Sequence, residues 1–372
     1  MLAFAYLIPL LACLVLNLGF HYTGEWKVYL WIVLAGEAVV GLLHVIFHYA
    51  RTHTKEYLGS LVADITYEAP WTEIQHYTVT RKDSRGNTYT TVQTRYIYHP
   101  ERYHFNTTRG SNISTDSDFF NYVIARWGVE PTTVRWTSPR IRGGVRYGEN
   151  AEMPAVAGQP YADDTRRISV TETHKYRNPI RNSNSIFKFP RIPRKRAEEL
   201  GLYDYPEILR HDMPCVLSND VLIDFEVREK FRRFNGFHAP AAQMRLFILV
   251  FPAEKGVAIT EYQRAYWQGG NKNEMTICIG VNPDDTVEWA RAFSWADNKQ
   301  LEVEAADWLL THRQLDLDAF HDWLADNYWR WERKQFSDFK YISVSLSLWQ
   351  ILTIYGMSIL ENALAIKIAL AH

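Results

Sequence analysis

The sequence is poor in cysteine and in net charge, and both shortages exclude broad classes of protein. Only three cysteines occur in 372 residues. One of them, Cys13, lies inside an apolar run, so a disulfide framework is excluded, and Cys215 and Cys278 are expected to be thiols in a reducing compartment. A net charge of −1 excludes a uniformly basic nucleic-acid-binding protein, and a hydrophobic content of 47% excludes a disordered chain.

The sequence also lacks the short motifs of the common enzyme classes. It has no GxxxxGK[ST] phosphate loop, no GxGxxG after a strand, no HExxH, no GxSxG and no paired CxxC. The one compact polar stretch is residues 267–274, where Lys272 and Glu274 are candidates for acid–base chemistry, although a turn rich in Gly and Asn has the same composition. We therefore expect no catalytic residue, no metal site and no cofactor.

The near-zero net charge hides an uneven distribution along the chain. Residues 1–50 carry one cation and two acids, and residues 341–372 carry one of each. Residues 51–200 carry 23 Lys or Arg against 16 Asp or Glu, whereas residues 201–340 carry 16 against 23. Two almost uncharged ends therefore enclose a basic half of net charge +7 and an acidic half of net charge −7.

The uncharged ends contain apolar segments that are long enough to cross a membrane. Residues 2–20 are apolar apart from Asn17 and would extend roughly 28 Å as a helix, close to the thickness of the hydrocarbon core. Residues 28–50 and 342–360 are two further predicted spans. A cleaved signal peptide is the alternative for the first segment, but the segment has no basic start and no clear cleavage site.

The cations beside these segments predict the orientation of the chain. Arg51 and Lys55 follow the second span and four cations precede the third, whereas residues 21–27 carry one Lys and one Glu. The positive-inside rule then places residues 51–341 in the cytoplasm. Two glycosylation triplets, beginning at Asn106 and Asn112, are the observation that supports the extracellular alternative.

Two of the predicted spans carry polar residues along one helical face. The predicted pore-lining residues are Glu37, Gly41, His44 and His48 in the second span and Ser347, Gln350, Thr353 and Glu361 in the third. An ionisable group that faces lipid is costly, so we expect these groups to line an aqueous lumen enclosed by several copies of the chain. The alternatives are that they only hold helices together, with His44 paired to Glu37 of a neighbour, or that His44 and His48 belong to a metal or haem site.

The region between the spans is predicted to contain two modules. Alternation of Thr, Val and Tyr in residues 73–82 and 88–98 predicts a β-hairpin, and residues 118–127 a short helix, in a basic β-rich ligand-sensing domain at residues 59–200. Residues 131–193 show little periodicity. Residues 245–251, 257–268 and 275–281 predict a parallel β-α-β unit within an α/β module at residues 201–315, which also contains a strand at 287–295 and a helix at 299–312.

The segments at the two ends complete the predicted domain organisation. Residues 1–58 hold the two N-terminal spans, and residues 316–372 hold a helix at 316–336 that is expected to lead almost directly into the third span. Such a connection would let a movement of the α/β module reach the membrane. The predicted fold class is an α+β integral membrane protein with three transmembrane helices, two N-terminal and one C-terminal, around a large cytoplasmic insertion.

The most basic part of the insertion is a candidate nucleic-acid interface. Its cations are interleaved with Trp136, other aromatic residues and glycines, a pattern suited to phosphate binding and base stacking. The candidate residues are Arg135, Trp136, Arg140, Arg142, Arg146, Arg166, Arg167, Lys175, Arg177, Arg181, Lys188, Arg191, Arg194, Lys195 and Arg196. The alternatives are a solvated basic surface, neutralisation by the acidic half of the chain, or contact with anionic lipid.

The three spans and this basic insertion resemble, in layout, the membrane effectors of bacterial anti-phage defence, and most of all the channel effectors of the Hailong system. The resemblance covers the whole chain but includes no short motif, so it assigns no residue roles. It implies a channel in the bacterial inner membrane that is held closed by single-stranded DNA made by a partner nucleotidyltransferase. We expect a homo-oligomer, such as a tetramer, that contacts membrane lipids. A membrane-anchored enzyme built on residues 201–340 and a scaffold without a pore are the alternatives.

Overall fold

The computed structural model describes residues 26–128, 132–137, 144–145, 147–153, 166–183, 188–339, 341–342 and 344–371. The first predicted span and three of the candidate interface residues, Arg140, Arg142 and Arg146, lie outside these ranges. The chain divides into two compact units. The helical unit comprises Met1–Lys55, Lys175–Arg191 and Gln335–His372, and the α/β unit comprises Glu56–His174 and Ile192–Lys334.

The described residues form eight α-helices and thirteen β-strands. The helices are α1 (Trp26–Thr52), α2 (Ser117–Trp127), α3 (Arg194–Leu200), α4 (Phe225–Phe237), α5 (Ile259–Tyr266), α6 (Gln300–His312), α7 (Leu317–Asn327) and α8 (Leu348–Ala371). The strands are β1 (His53–Glu68), β2 (Trp71–Lys82), β3 (Thr88–His99), β4 (Arg102–Thr107), β5 (Asn112–Thr115), β6 (Thr132–Thr137), β7 (Gly144–Val145), β8 (Tyr147–Met153), β9 (Ser169–Arg177), β10 (Val216–Ser218), β11 (Arg245–Pro252), β12 (Glu274–Val281) and β13 (Val287–Ser294). The molecule is therefore α+β, as the sequence predicts.

Helix α1 corresponds to the second predicted span. Among the described residues it is the one helix long and apolar enough to cross a membrane, over Val33–Thr52. A signal sequence or a buried core helix meets the same criterion, so this finding is compatible with membrane association and goes no further. The three-span topology is not confirmed.

Helix α8 begins six residues later than the third predicted span. Val344 forms an antiparallel bridge with Ser183, and the side chain of Gln350 accepts hydrogen bonds from the backbone N and the hydroxyl of Ser347, both at 3.0 Å. Ser347 and Gln350 therefore form an N-terminal cap of the S-x-x-Q type. The chain before Ser347 is held by this bridge, which explains why the helix starts only at Leu348.

The predicted helix at residues 316–336 is shorter than expected. Its start is as predicted, because the Asp316 carboxylate accepts a hydrogen bond from the N of Ala319 at 2.9 Å. The helix ends at Asn327, however, because the following residues pair with an earlier segment. Asp297 N donates to Glu332 O and Lys334 N donates to Trp295 O, at 2.8 and 2.9 Å. The expected direct helical connection to the last helix is therefore wrong.

A six-stranded sheet packs against α2 in the α/β unit. The order is β5-β4-β1-β8-β6, and β9 also pairs with β1. Residues 131–193, which show little periodicity in sequence, thus supply three of its strands through pairing with distant segments. Helix α2 forms as predicted, since Asp116 caps its start and Gly128 (φ 67°) ends it, and its buried Phe119 and Val123 contribute to the core.

The predicted hairpin is also confirmed. Strands β2 and β3 pair antiparallel from Trp71 opposite His99 to Lys82 opposite Thr88. The Asp83 carboxylate fixes the turn by accepting hydrogen bonds from the N of Arg85 and of Asn87, both at 2.8 Å.

A four-stranded sheet forms the second core of the α/β unit. Its order is β10-β11-β12-β13, with β10, β11 and β12 parallel and β13 antiparallel. Seven consecutive residues of β11, 245–251, are buried, as are all eight residues of β12. Helix α5 connects these two strands, so the predicted parallel β-α-β unit is confirmed.

Candidate functional site

The two described helices of the helical unit pack antiparallel to each other. At one end the rings of Phe47 and Trp349 meet edge to face, with centroids 5.3 Å apart. In the middle, Val40 and Ile354 are fully buried against each other. At the other end Gly36 lies against Glu361, and a Cβ atom at Gly36 would overlap the Glu361 carboxylate. A glycine is therefore the residue that lets the two helices approach at the level of this acid.

Two carboxylates from different helices meet at this close approach. Glu37 follows Gly36 on α1 and is therefore next in sequence to the residue that contacts Glu361 of α8. Oε1 of Glu37 and both carboxylate oxygens of Glu361 are buried, and no hydrogen-bond donor among the described residues reaches them. The sequence assigned both residues to a common polar lining, and the structure brings them together. Two adjacent carboxylates can hold a cation or share a proton.

The other predicted pore-lining residues have different surroundings. Gly41 faces open space, since nothing lies within 4 Å of a Cβ placed there. His44 and His48 are half-buried on α1. Ser347 and Gln350 form the cap of α8, and Thr353 is exposed, with its hydroxyl donating to Trp349 O at 2.8 Å.

Two polar residues on the inner face of α8 were not predicted. Ser358 and Asn362 are buried, and the Asn362 side chain donates to Ser358 O at 2.7 Å. With Gln350 and Ile354 they recur every four residues, whereas the predicted stripe ran through Thr353. The i, i+4 spacing was the signal that could have identified them.

The candidate nucleic-acid residues are divided between the two units. Lys175, Arg177, Arg181, Lys188 and Arg191 belong to the helical unit and are exposed. Arg166, Arg167, Arg194, Lys195 and Arg196 belong to the α/β unit, and Arg135 and Trp136 lie in β6.

Within the α/β unit, the candidate cations Arg194, Lys195 and Arg196 on α3 are exposed. Arg194 pairs with Glu198 at 3.1 Å and Arg196 with Glu199 at 3.0 Å. Arg167 lies 5.9 Å over the ring of Phe237 and is half-buried. Exposed ion pairs of this kind are weak, so the α3 cations remain available to a phosphate group.

The polar loop at residues 267–274 is held by internal contacts. Glu274 accepts hydrogen bonds from Tyr205 OH and from Asn271, whose backbone N lies 2.7 Å away. Lys272 Nζ lies 3.4 Å from Glu56 Oε1, and Arg333 Nη1 lies 3.8 Å from Glu56 Oε2. Burial raises the pKa of Glu274, and burial lowers the pKa of Lys272 against the opposing effect of Glu56. These contacts account for the loop as a structural element.

Neither of the described thiols is suited to nucleophilic chemistry. Cys215 and Cys278 are free and buried. Burial raises the pKa of each thiol to about 12, so thiolate is scarce at neutral pH. In the described part of the chain, no group of three His, Cys, Asp or Glu side chains is placed to hold a metal ion.

After the Glu37–Glu361 pair, the next candidate for chemistry is His211, which lies in a strained turn. Arg210 and His211 both have positive φ, 46° and 68°. His211 Nε2 lies 2.7 Å from Thr115 Oγ1, its ring packs against Phe105 and Phe119, and it borders a cavity of about 470 Å³. Burial lowers the pKa of His211, which suits its packing between aromatic rings.

No protein-family model, no curated protein and no solved structure matches this chain. The functional conclusion therefore rests on the geometry of its own residues.

Proposed function

We propose that the protein is a homo-oligomeric membrane channel whose α/β unit binds a polyanion, with single-stranded DNA or another oligonucleotide as the ligand class. The observation that carries the proposal is the meeting of Glu37 and Glu361 on two apolar helices, without a hydrogen-bond donor among the described residues. The three-span topology, the cytoplasmic position of the α/β unit and the bacterial inner membrane belong to this proposal.

The apolar surface of the helical unit supports insertion into a membrane. Large apolar side chains on both helices are exposed, among them Leu34, Leu42 and Val45 on α1 and Leu352, Ile359, Leu360 and Leu364 on α8. Contiguous apolar patches of this kind are rare on soluble monomers and mark contacts with lipid or with other chains. Lipid can cover these faces while the Glu37–Glu361 face points away from it.

The acidic pair supports an oligomer. A carboxylate at membrane depth is retained when it faces a protein partner or water, because exposure to hydrocarbon costs about 2.5 kcal/mol or more. Two helices cannot enclose water by themselves. Copies arranged around an axis would place the helix contact that holds Glu37 and Glu361 beside a common lumen, and an acidic lumen favours cations.

Exposed cations of the α/β unit support a polyanionic ligand. The α3 cations Arg194, Lys195 and Arg196 are exposed in the α/β unit, and Arg135 and Trp136 lie on β6 of the same unit. Cations bind a phosphate backbone and aromatic rings stack on bases. The predicted layout resembles that of the Hailong effectors, and this resemblance makes loss of a single-stranded oligomer the opening signal to test, with a nucleotidyltransferase as its source.

Conductance of the full-length protein in planar bilayers tests the channel. We expect cation-selective currents that fall at least tenfold in Glu37→Gln/Glu361→Gln, because both charges leave the lumen. The matched control is Asp338→Asn, which removes an exposed acid from the same unit and should leave conductance unchanged. Currents that are absent under all ligand conditions, or that persist unchanged in the double variant, contradict the proposal. Single-stranded oligomers are added in a second arm to find the direction of gating.

A further inference from the structure

A strongly basic segment of the chain is attached to the end of α1. Lys175–Arg191 contains five cations and no acid. Three hydrogen bonds attach it to the residues where α1 ends and β1 begins: Asn178 N to Thr52 O at 2.5 Å, Asn182 Nδ2 to Arg51 O at 2.8 Å, and Arg181 Nη1 to Thr54 Oγ1 at 2.9 Å. Together with the bridge from Ser183 to Val344, these bonds place the segment beside the ends of both apolar helices.

The charges of this segment are not neutralised within the described residues. Lys175, Arg177 and Arg181 are exposed, and no described carboxylate forms an ion pair with them or with Arg51. We name these four cations the basic collar. In the α/β unit, by contrast, Arg194 and Arg196 have glutamate partners. The collar thus presents unpaired positive charge at one end of an apolar helix pair.

Exposed aromatic residues occur at the same end of the helices. Tyr49 precedes the end of α1 and Trp349 follows the start of α8, and both are at least half exposed. Tyr49 is stacked on His53, with ring centroids 3.7 Å apart. The stacked face of the Tyr49 ring is therefore occupied by a protein ring and is not open to a base. Tyr and Trp with Lys and Arg are the residues found at the headgroup level of membranes.

We propose that the basic collar, formed by Arg51, Lys175, Arg177 and Arg181, binds the phosphate headgroups of anionic phospholipids. The inference rests on the proposed membrane insertion of the helical unit but not on conduction. It assigns these cations to lipid rather than to nucleic acid, because they adjoin an apolar surface and the nearby Tyr49 ring is already stacked on His53.

Lipid binding to the full-length protein in neutral detergent tests the collar. The protein is incubated with equal amounts of phosphatidylglycerol and phosphatidylcholine, and the bound lipids are counted by native mass spectrometry. We expect a preference for phosphatidylglycerol. Arg177→Gln/Arg181→Gln should weaken phosphatidylglycerol binding about thirtyfold, which corresponds to about 2 kcal/mol, and Arg177→Lys/Arg181→Lys should retain most of it.

The matched control and the competitors separate the possible ligands. Arg194→Gln/Lys195→Gln/Arg196→Gln removes one more charge from the α/β unit and should leave the lipid preference unchanged. Glycerol phosphate at millimolar concentration should not displace the lipid, because the headgroup is held next to the apolar surface. Equal lipid preference in the wild type and Arg177→Gln/Arg181→Gln, or loss of oligonucleotide binding in that variant, overturns the inference.

Separate measurements distinguish a failure of the lipid-binding proposal for the basic collar from a failure of the proposed channel. Resistance of the protein to alkaline extraction from membranes reports insertion, and bilayer currents report conduction. An inserted, conducting protein without a lipid preference contradicts the collar alone. A protein released from membranes by alkaline extraction contradicts the channel and the collar together.

Discussion

Glu172 and Arg245 of the α/β unit differ from the acidic pair of the helical unit in their hydrogen-bond partners. In the α/β unit, Glu172 accepts hydrogen bonds from Thr107 Oγ1 at 2.6 Å and Ser111 Oγ at 2.8 Å, and Arg245 donates to Thr171 Oγ1 at 3.2 Å, whereas Arg233 Nη1 is buried without a hydrogen-bond partner among the described residues. In the helical unit, the Glu37–Glu361 pair has no donor among the described residues. A buried charge with partners contributes to a specific fold, whereas one without partners is a cost that stability does not explain. The lack of partners is consistent with the proposed role of the helical pair in a channel.

The largest effect is expected where a partnered charge is removed. Glu172→Leu should lower the free energy of unfolding by about 3 kcal/mol, because the hydroxyls of Thr107 and Ser111 lose their acceptor inside the sheet. Glu226→Leu, at an exposed position on α4, should change it by less than about 0.5 kcal/mol. Denaturant titration measures both. A change in the free energy of unfolding for Glu172→Leu as small as that for Glu226→Leu would contradict the stabilising role of the Glu172 hydrogen bonds.

The next effect concerns the proposed oligonucleotide ligand of the α/β unit. Arg194→Gln/Lys195→Gln/Arg196→Gln should weaken retention of a single-stranded oligonucleotide about tenfold at low salt and reduce the salt dependence of its affinity. Arg177→Gln/Arg181→Gln is the control in the helical unit and should retain the oligonucleotide. Filter binding across a salt series measures the two variants side by side. Retention that does not respond to salt argues against binding through backbone phosphates.

A smaller effect is expected where an unpartnered charge is removed. Glu361→Leu should change the unfolding free energy of the helical unit by less than about 1 kcal/mol, or raise it, because no described hydrogen bond is lost. Thermal unfolding in detergent measures this, with Asn362→Leu as the control. Asn362 donates to Ser358 O, so its replacement should destabilise the same helix. If Glu361→Leu lowered the free energy of unfolding as much as Glu172→Leu, the claim that Glu361 makes no stabilising hydrogen bond would be contradicted.

The smallest effect is a pH dependence within the α/β unit. Burial raises the pKa of Glu274 above its ordinary value of 4.5. A carboxyl whose pKa is raised by folding contributes stability that is complete below pH 4.5 and is lost as the pH rises through the folded value. The stability of the wild type relative to Glu274→Gln should therefore fall as the pH rises above 4.5. Chemical denaturation of both proteins across that range measures the difference, and a rise instead of a fall contradicts the assignment.

Elements with local signals were predictable from the sequence. The hairpin of β2 and β3 follows from alternating Thr, Val and Tyr around a Gly-containing turn. Helix α2 follows from its caps at Asp116 and Gly128. The strands β11 and β12 follow from continuous apolar runs. In each case the signal lies within the element and its immediate neighbours.

Elements that depend on distant partners were not predictable in the same way. The end of α7 is set by Trp295 and Asp297, which pair with residues more than thirty positions later. The strands β6, β8 and β9 are set by pairing with β1 or with each other. By contrast, the cap formed by Ser347 and Gln350 has a local sequence pattern, so the start of α8 could have been predicted from it.

The candidate site was predictable in part for the same reason. Helical spacing alone assigned Glu37 and Glu361 to the same predicted polar lining, although it carries no information on the contact between their helices. The same spacing did not distinguish the exposed Thr353 from the buried Ile354, because neighbouring positions on a helix differ by only 100°. The assignment of Lys175–Arg191 to the helical unit depends on long-range hydrogen bonds that no local pattern reveals.

Water access at residue 361 is the most direct test of an acidic aqueous lumen. In full-length protein with Cys13→Ser, the remaining thiols at Cys215 and Cys278 are buried, so a new cysteine is the reactive one. Glu361→Cys should react with a membrane-impermeant cationic thiosulfonate. This reaction should block the current that the Glu361→Cys protein conducts. Leu360→Cys, on the exposed apolar face of α8, should not react. A Glu361→Cys protein that stays unmodified, or that reacts no faster than Leu360→Cys, contradicts the lumen.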